Sequence, residues 1–170
     1  MSEKLSKEVR HPDLAESSNW EDSEDNPSSN LLRRFKKIIE EQGVALNQGI
    51  KILEVGSGDG RLVKLMEKEG MDVVGVDARP RNKIKSGNEV AARIELLPFA
   101  DNTFSVVVAH KVFDVSAYEQ DSYQMFREIY RVLKKGGIFI NSIADRGSPK
   151  EVVPWKLVST GNFTDVYKKE

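Results

Sequence analysis

Residues 51–66, KILEVGSGDGRLVKLM, read as a strand, a glycine turn and a helix. Lys51 to Val55 is a short apolar run with β-branched residues, suited to a buried strand. Gly56, Ser57, Gly58, Asp59 and Gly60 place three glycines in five positions. From Arg61 onward Leu62, Leu65 and Met66 recur at helical spacing, and Gly70 is a plausible stop. Such a turn lets a ligand approach the backbone closely, and unpaired N–H groups are expected to point outward from it.

The spacing narrows the ligand. A dinucleotide fingerprint needs G-x-G-x-x-G with a helix N-terminus aimed at a pyrophosphate. Here the glycines fall at 56, 58 and 60, and Glu54 precedes them. A carboxylate at the strand end would repel a pyrophosphate and suits a ligand with an ammonium group. One strand later, Asp72 to Asp77 (DVVGVD) ends in a second carboxylate, 21 residues past Gly56. A carboxylate there can accept both hydroxyls of a ribose. A nicotinamide dehydrogenase also ends its second strand this way, and the glycine spacing disfavours that reading. Asp77 is otherwise an exposed polar strand end, of little expected weight in folding.

Length and composition bound the rest. The 170 residues (19.1 kDa) suit one domain with a real core. A net charge of −1 argues against a generally basic nucleic-acid surface. The absence of cysteine removes disulfides, thiolate metal sites and a cysteine nucleophile, and fits a reducing, cytoplasmic setting. No metal site is expected. The opening MSEKLSKEVR is too charged for a signal peptide, and no apolar run approaches the roughly 18 residues of a membrane helix.

Residues 1–30 carry three basic and eight acidic residues, against 23 and 19 in the remainder. They are expected to form an acidic tail or a lid over a substrate pocket, with Trp20 the anchor in the second case; residues 31–170 form the domain. Ser28 to Gln42 reads as a helix with the stripe Leu31, Leu32, Phe35, Ile38 and Ile39, covering one face of the sheet. Arg33, Arg34, Lys36 and Lys37 lie on its solvated face. Arg79 to Lys85 is a basic connection, and Asn88 to Ile94 a weakly signalled third strand. Asp121 to Lys135 reads as a helix with Met125, Ile129, Val132 and Leu133 on its core stripe, Lys134 and Lys135 at its negative end and Gly136 as the stop.

Three passages carry a family resemblance. Glu54 with the glycine turn resembles motif I of the class I S-adenosylmethionine (SAM) dependent methyltransferases. ELLPFADNTFSVVV (95–108) is similar to the "LPF-x-D-x-SFD-x-V" passage of the methyltransferase type 11 group, which includes ubiquinone and menaquinone methylating enzymes; Thr103 and Ser105 depart from it. REIYRVLKKGGIFI (127–140) resembles that group's "E-x-x-R-V-L-K-P-G-G" block, with Lys135 in place of proline.

The resemblance covers about residues 50–144. It implies a Rossmann-like α/β fold, strand order 3-2-1-4-5, with helices on both sides and a reduced C-terminal edge. There WKLVST and FTDVYKK form a hairpin of strands six and seven, or else only the latter is a strand. It implies methyl transfer from SAM, with S-adenosylhomocysteine as product, to an unidentified acceptor, expected to be a small molecule. The alternative is a SAM-binding subunit that acts through a protein partner. No nucleic acid or membrane partner is expected.

Carried over residue by residue, Gly56, Ser57, Gly58 and Gly60 make room for the methionine part and Glu54 turns towards its ammonium. Asp77 and Ala78 serve the ribose. Arg93 stands where the family often has an acidic residue that binds the adenine amino group, so that role passes to Ile94 and Glu95. Strand four, Phe104 to His110, brings His110, Lys111, Asp114 and Tyr118 to the ligand crevice. His110 either lines the cofactor pocket or acts as general base.

Overall fold

The computed structural model describes residues 27–46, 49–79, 88–113, 119–142, 153–161 and 164–170. The acidic segment with Trp20, most of the Arg79–Lys85 connection, Asp114 and Tyr118 lie outside the described residues.

Helix α1 (Pro27–Glu41) precedes strand β1 (Lys51–Val55), helix α2 (Arg61–Lys68) and strand β2 (Asp72–Asp77). Strand β3 (Glu89–Ala91), a 3-10 turn (Ile94–Leu96), β4 (Phe104–His110), helix α3 (Glu119–Val132), β5 (Leu133–Ser142), β6 (Trp155–Gly161) and β7 (Thr164–Lys169) follow. The strands form one seven-stranded sheet in the order β3-β2-β1-β4-β5-β7-β6. The first five are parallel; β7 runs antiparallel to β5 and to β6, so the C-terminal edge is the hairpin.

Both faces of the sheet are apolar, as the near-continuous hydrophobic runs of β1, β4 and β5 require. On one face Leu32, Phe35 and Ile39 of α1 and Leu62, Leu65 and Met66 of α2 pack on Ile52, Val106, Val108 and Ile140. On the other, Phe126, Ile129 and Val132 of α3 pack on Leu53, Val107 and Phe139. Aromatic rings extend this second layer to the hairpin: Phe139 stacks on Trp155, with centroids 5.4 Å apart, and on Tyr167 at 6.0 Å. The large ring areas bury the hairpin's inner face.

Several boundaries differ from the sequence reading. Helix α3 stops at Val132, and Lys134 and Lys135 belong to β5 rather than to the helix end. Gly136, at φ +77°, lies within that strand. Buried Phe126 joins Ile129 and Val132 on the α3 core stripe, while Met125, expected there, is only partly buried. Strand β3 is shorter than Asn88–Ile94 because Ile94 starts the 3-10 turn. The stop of α2 agrees: Gly70 has φ +77° and its N–H bonds Glu67.

Candidate functional site

The site lies at the C-terminal ends of β1, β2 and β4, where Val55 is level with Val76 on one side and Ala109 on the other. In a doubly wound sheet this is the ligand crevice. Gly56, Gly58 and Gly60 all adopt positive φ (70°, 60° and 77°), which a side chain at those positions would resist. A Cβ on Gly56 would come within 2.5 Å of Val112, and one on Gly60 within 2.2 Å of Glu89. A Cβ on Gly58 would meet nothing nearer than 4.0 Å, so the open part of the turn is at Gly58.

Four of the turn's five N–H groups are already engaged, contrary to expectation. Gly56 and Ser57 both donate to the Val76 carbonyl (2.7 and 3.0 Å), Gly60 donates to the Ser57 carbonyl (3.0 Å), and Gly58 donates to Asp77 Oδ2 (3.0 Å). Asp77 Oδ1 accepts the N–H of Arg79 at 2.7 Å. A turn whose donors already have acceptors is a poor cradle for a pyrophosphate.

Its electrostatics point the same way. Glu54 is 5% exposed and its Oε2 is buried without a hydrogen-bond partner, while the Ser57 hydroxyl and the Glu89 carboxylate are buried against each other. Burial, then the neighbouring Glu89, pushes the Glu54 carboxyl up to about 8, with Asp59 and Asp77 adding to the effect and a Val63 N–H opposing it. Burial and Asp77 raise Glu89 as well. Glu54, Glu89, Asp59 and Asp77 gather acidic side chains here, with the buried Glu54 Oε2 unsatisfied, which complements a cation.

The remaining expected residues fall around this centre. Ala78 is exposed just beyond β2. Ile94 is buried, and Glu95 is ion-paired with the exposed Arg93 at 3.0 Å. That pairing holds the Glu95 carboxyl below its usual range. His110 ends β4, half-buried, with Nδ1 3.3 Å from Ser142 Oγ. Burial lowers its pKa, and Lys111 and Arg34 lower it further.

The sequence reading missed several participants. Glu89 starts a three-residue strand with little periodic signal, and its approach to Gly60 depends on strand pairing. Arg131 was read only as part of a block. It donates to the carbonyls of Leu97 (3.0 Å) and Phe99 (2.7 Å) and to Asp101 (2.8 Å), while Glu128 Oε2 accepts the Leu97 N–H at 2.8 Å. The two resembling passages thus form one hydrogen-bonded unit that sets the path into β4. Asn141 was also missed: it is 1% exposed, and both polar atoms of its amide lack a partner.

Among the described residues, no group of three His, Asp or Glu side chains is placed to hold a metal, and no helix is long and apolar enough to cross a membrane. Clefts of about 370 and 440 Å³ adjoin Lys36 and Glu69, and no turn residue lines either.

Comparison with known proteins supplies the wider setting. A family model described as a methyltransferase domain matches residues 53–141. The ubiquinone biosynthesis O-methyltransferase of Cereibacter sphaeroides is 34% identical over 113 residues, covering 61% of this chain and 44% of that protein. An uncharacterized methyltransferase of Synechocystis, sll0829, is 28% identical over 123 residues, covering 67% of this chain and 55% of that one. The chain spans about half the length of the curated relatives it matches. The crystal structure of the PH0226 protein from Pyrococcus horikoshii has the same fold, with a TM-score of 0.57 at 19% identity, covering 81% of this chain and 91% of that one.

Proposed function

The chain belongs to the methyltransferase domain family, and on that premise we propose that it transfers a methyl group from SAM to a small-molecule acceptor. The observation that carries this reading is the turn itself, whose glycine and Ser57 N–H groups are satisfied within the protein and whose surroundings are rich in carboxylates. It suits a nucleoside with a cationic tail better than a dinucleotide.

The residues present fit that donor. The open face at Gly58 admits the methionine part, and Glu54 Oε2 is a buried acceptor without a partner. Glu54 is mostly protonated at neutral pH, so it offers a full charge to an ammonium only on losing its proton. Asp77 is already hydrogen-bonded, yet each carboxylate oxygen accepts more than one hydrogen bond, which leaves capacity for two ribose hydroxyls. Beyond it, Ala78 adjoins the ribose, and Ile94 and Glu95 take the adenine, with Glu95 the carboxylate acceptor for its amino group.

SAM supplies a sulfonium-bound, electrophilic methyl, so the protein's part is orientation and charge matching. His110, neutral at physiological pH because its pKa is lowered, is available to take a proton from a hydroxyl, an acidic carbon or a protonated amine. Ligand-induced melting with SAM, S-adenosylhomocysteine, NAD and NADP tests the reading. Stabilisation by the first two and not the others is expected; stronger stabilisation by NAD than by S-adenosylhomocysteine contradicts it.

A further inference from the structure

Among the described residues, the end of the crevice over β4, β5 and β7 carries cations where the glycine turn carries carboxylates. His110, Ser142 and Thr164 are register partners across the three strands and form one polar row. Ser142 is 1% exposed and Thr164 5%, on a sheet face that is otherwise apolar up to Val108, Ile140 and Val166. Arg34 of α1 lies over the row, with Nη2 donating to Thr164 Oγ1 at 2.6 Å. Lys111 follows His110, exposed, with φ +58°, held there by its N–H bond to the Ser142 carbonyl at 3.1 Å. Few residues other than glycine adopt that conformation, and strain of this kind gathers at functional sites.

Among the described residues, the charged side chains acting on His110 are the cations Lys111 and Arg34, the latter reaching the row through Thr164, and those around Glu54 are the carboxylates of Glu89, Asp59 and Asp77. The crevice therefore changes sign between β1 and β4, which are adjacent strands. We propose that the methyl acceptor is an anion whose carboxylate or phosphate oxygens are bound by Arg34 and Lys111, with the Ser142 and Thr164 hydroxyls beside them. The proposal rests on the methyl-transfer reading and deepens it. A cationic donor on the acidic side and an anionic acceptor on the basic side are drawn into the same crevice by complementary fields. A planar guanidinium with a second cation and hydroxyl donors is the pattern that recognises carboxylate or phosphate.

His110 is a built-in reporter, because the chain has only one other histidine, His11. His11→Gln assigns its ring resonances in proton NMR. The full chain, with and without S-adenosylhomocysteine, is titrated with benzoate, phenyl phosphate and the neutral isostere benzamide. Benzoate or phenyl phosphate is expected to shift the His110 resonances saturably and raise its pKa; whichever does so more strongly identifies the anion. Benzamide should do neither. Arg34→Gln and Lys111→Asn should each weaken the anion's binding by about ten- to hundredfold, the ratio for losing a charge-assisted hydrogen bond. Asparagine tolerates the conformation of Lys111, so that variant remains informative if Arg34→Gln fails to fold. Equal response to benzamide and benzoate, no saturable response to either anion, or undiminished binding in Lys111→Asn overturns the proposal. Absence of any S-adenosylhomocysteine-induced stabilisation overturns the methyl-transfer reading instead, whatever the anions do.

Discussion

The carboxylate of Asp77 accepts the backbone N–H of Gly58 at 3.0 Å, tying the end of β2 to the open part of the glycine turn. The other oxygen accepts the Arg79 N–H at 2.7 Å. Asp77 is therefore a brace for the site as well as its proposed ribose ligand, and removing it acts on both. Asp77→Ala is expected to cost about 1–3 kcal/mol of stability, since hydrogen bonds to charged groups contribute roughly 1.5–3 kcal/mol each and are not additive. A further loss of about 2–4 kcal/mol in SAM affinity is expected by calorimetry, with Asp77→Asn falling between. An alanine variant that binds SAM like the parent shows that the carboxylate is a brace alone.

Gly58 and Gly56 should respond differently to alanine. Gly58→Ala meets no close atom and bears only the left-handed conformational penalty, about 1–2 kcal/mol. Gly56→Ala adds a contact of 2.5 Å with Val112 and should lose more, as read by urea unfolding. If the donor passes over Gly58, Gly58→Ala will lose SAM affinity well beyond its loss of stability. Unchanged affinity would place the ligand elsewhere.

Glu54 predicts an unusual pH dependence. Its carboxyl rises from 4.5 to about 8 on folding, so between those values the native state holds a proton that the unfolded chain has released. Stability from this group is greatest below pH 4.5 and falls as pH rises towards 8, by at most about 1.4 kcal/mol per pH unit. Glu89, raised in the same direction, adds to the slope. Urea unfolding at pH 6 and pH 8 should show the parent weaker at the higher pH, and Glu54→Gln should shrink the difference. An equal difference in the variant would mean that Glu54 titrates normally.

Arg131 and Glu128 hold the passage from Leu97 to Asp101 through a planar fork of donors. Arg131→Ala should cost about 2–4 kcal/mol, because it leaves the buried Glu128 charge and two carbonyls without their partner. Arg131→Lys should recover only part of this, since an ammonium lacks the planar five-donor fork that spans these acceptors. Thermal unfolding and hydrogen exchange at the Leu97 N–H provide the measurements. Wild-type protection in the alanine variant would show that Glu128 holds the Leu97 N–H without the guanidinium.

Local patterns made much of this protein legible before any coordinates. The bounds of β1, β2 and β4 follow from runs of buried β-branched residues, and the turn from glycines whose backbone no other residue adopts cheaply. The C-terminal hairpin was readable as one of two alternatives, since Gly161 and Asn162 divide two strand-like runs; pairing of β6 with β7 selected it.

What only the tertiary structure decided depends on which distant residues meet. The N–H groups of Gly56, Ser57 and Gly58 face inward because the Val76 carbonyl and Asp77 sit one strand away. Glu89 reaches Gly60 only through the pairing of β3 with β2. Arg34 lies 76 positions before His110 in the chain, yet both act at one row of the sheet. Propensity and periodicity are properties of neighbours along the chain, so they set the elements. Charge and hydrogen bonding act through space, so the sign of each end of the crevice emerges only when the strands are laid side by side.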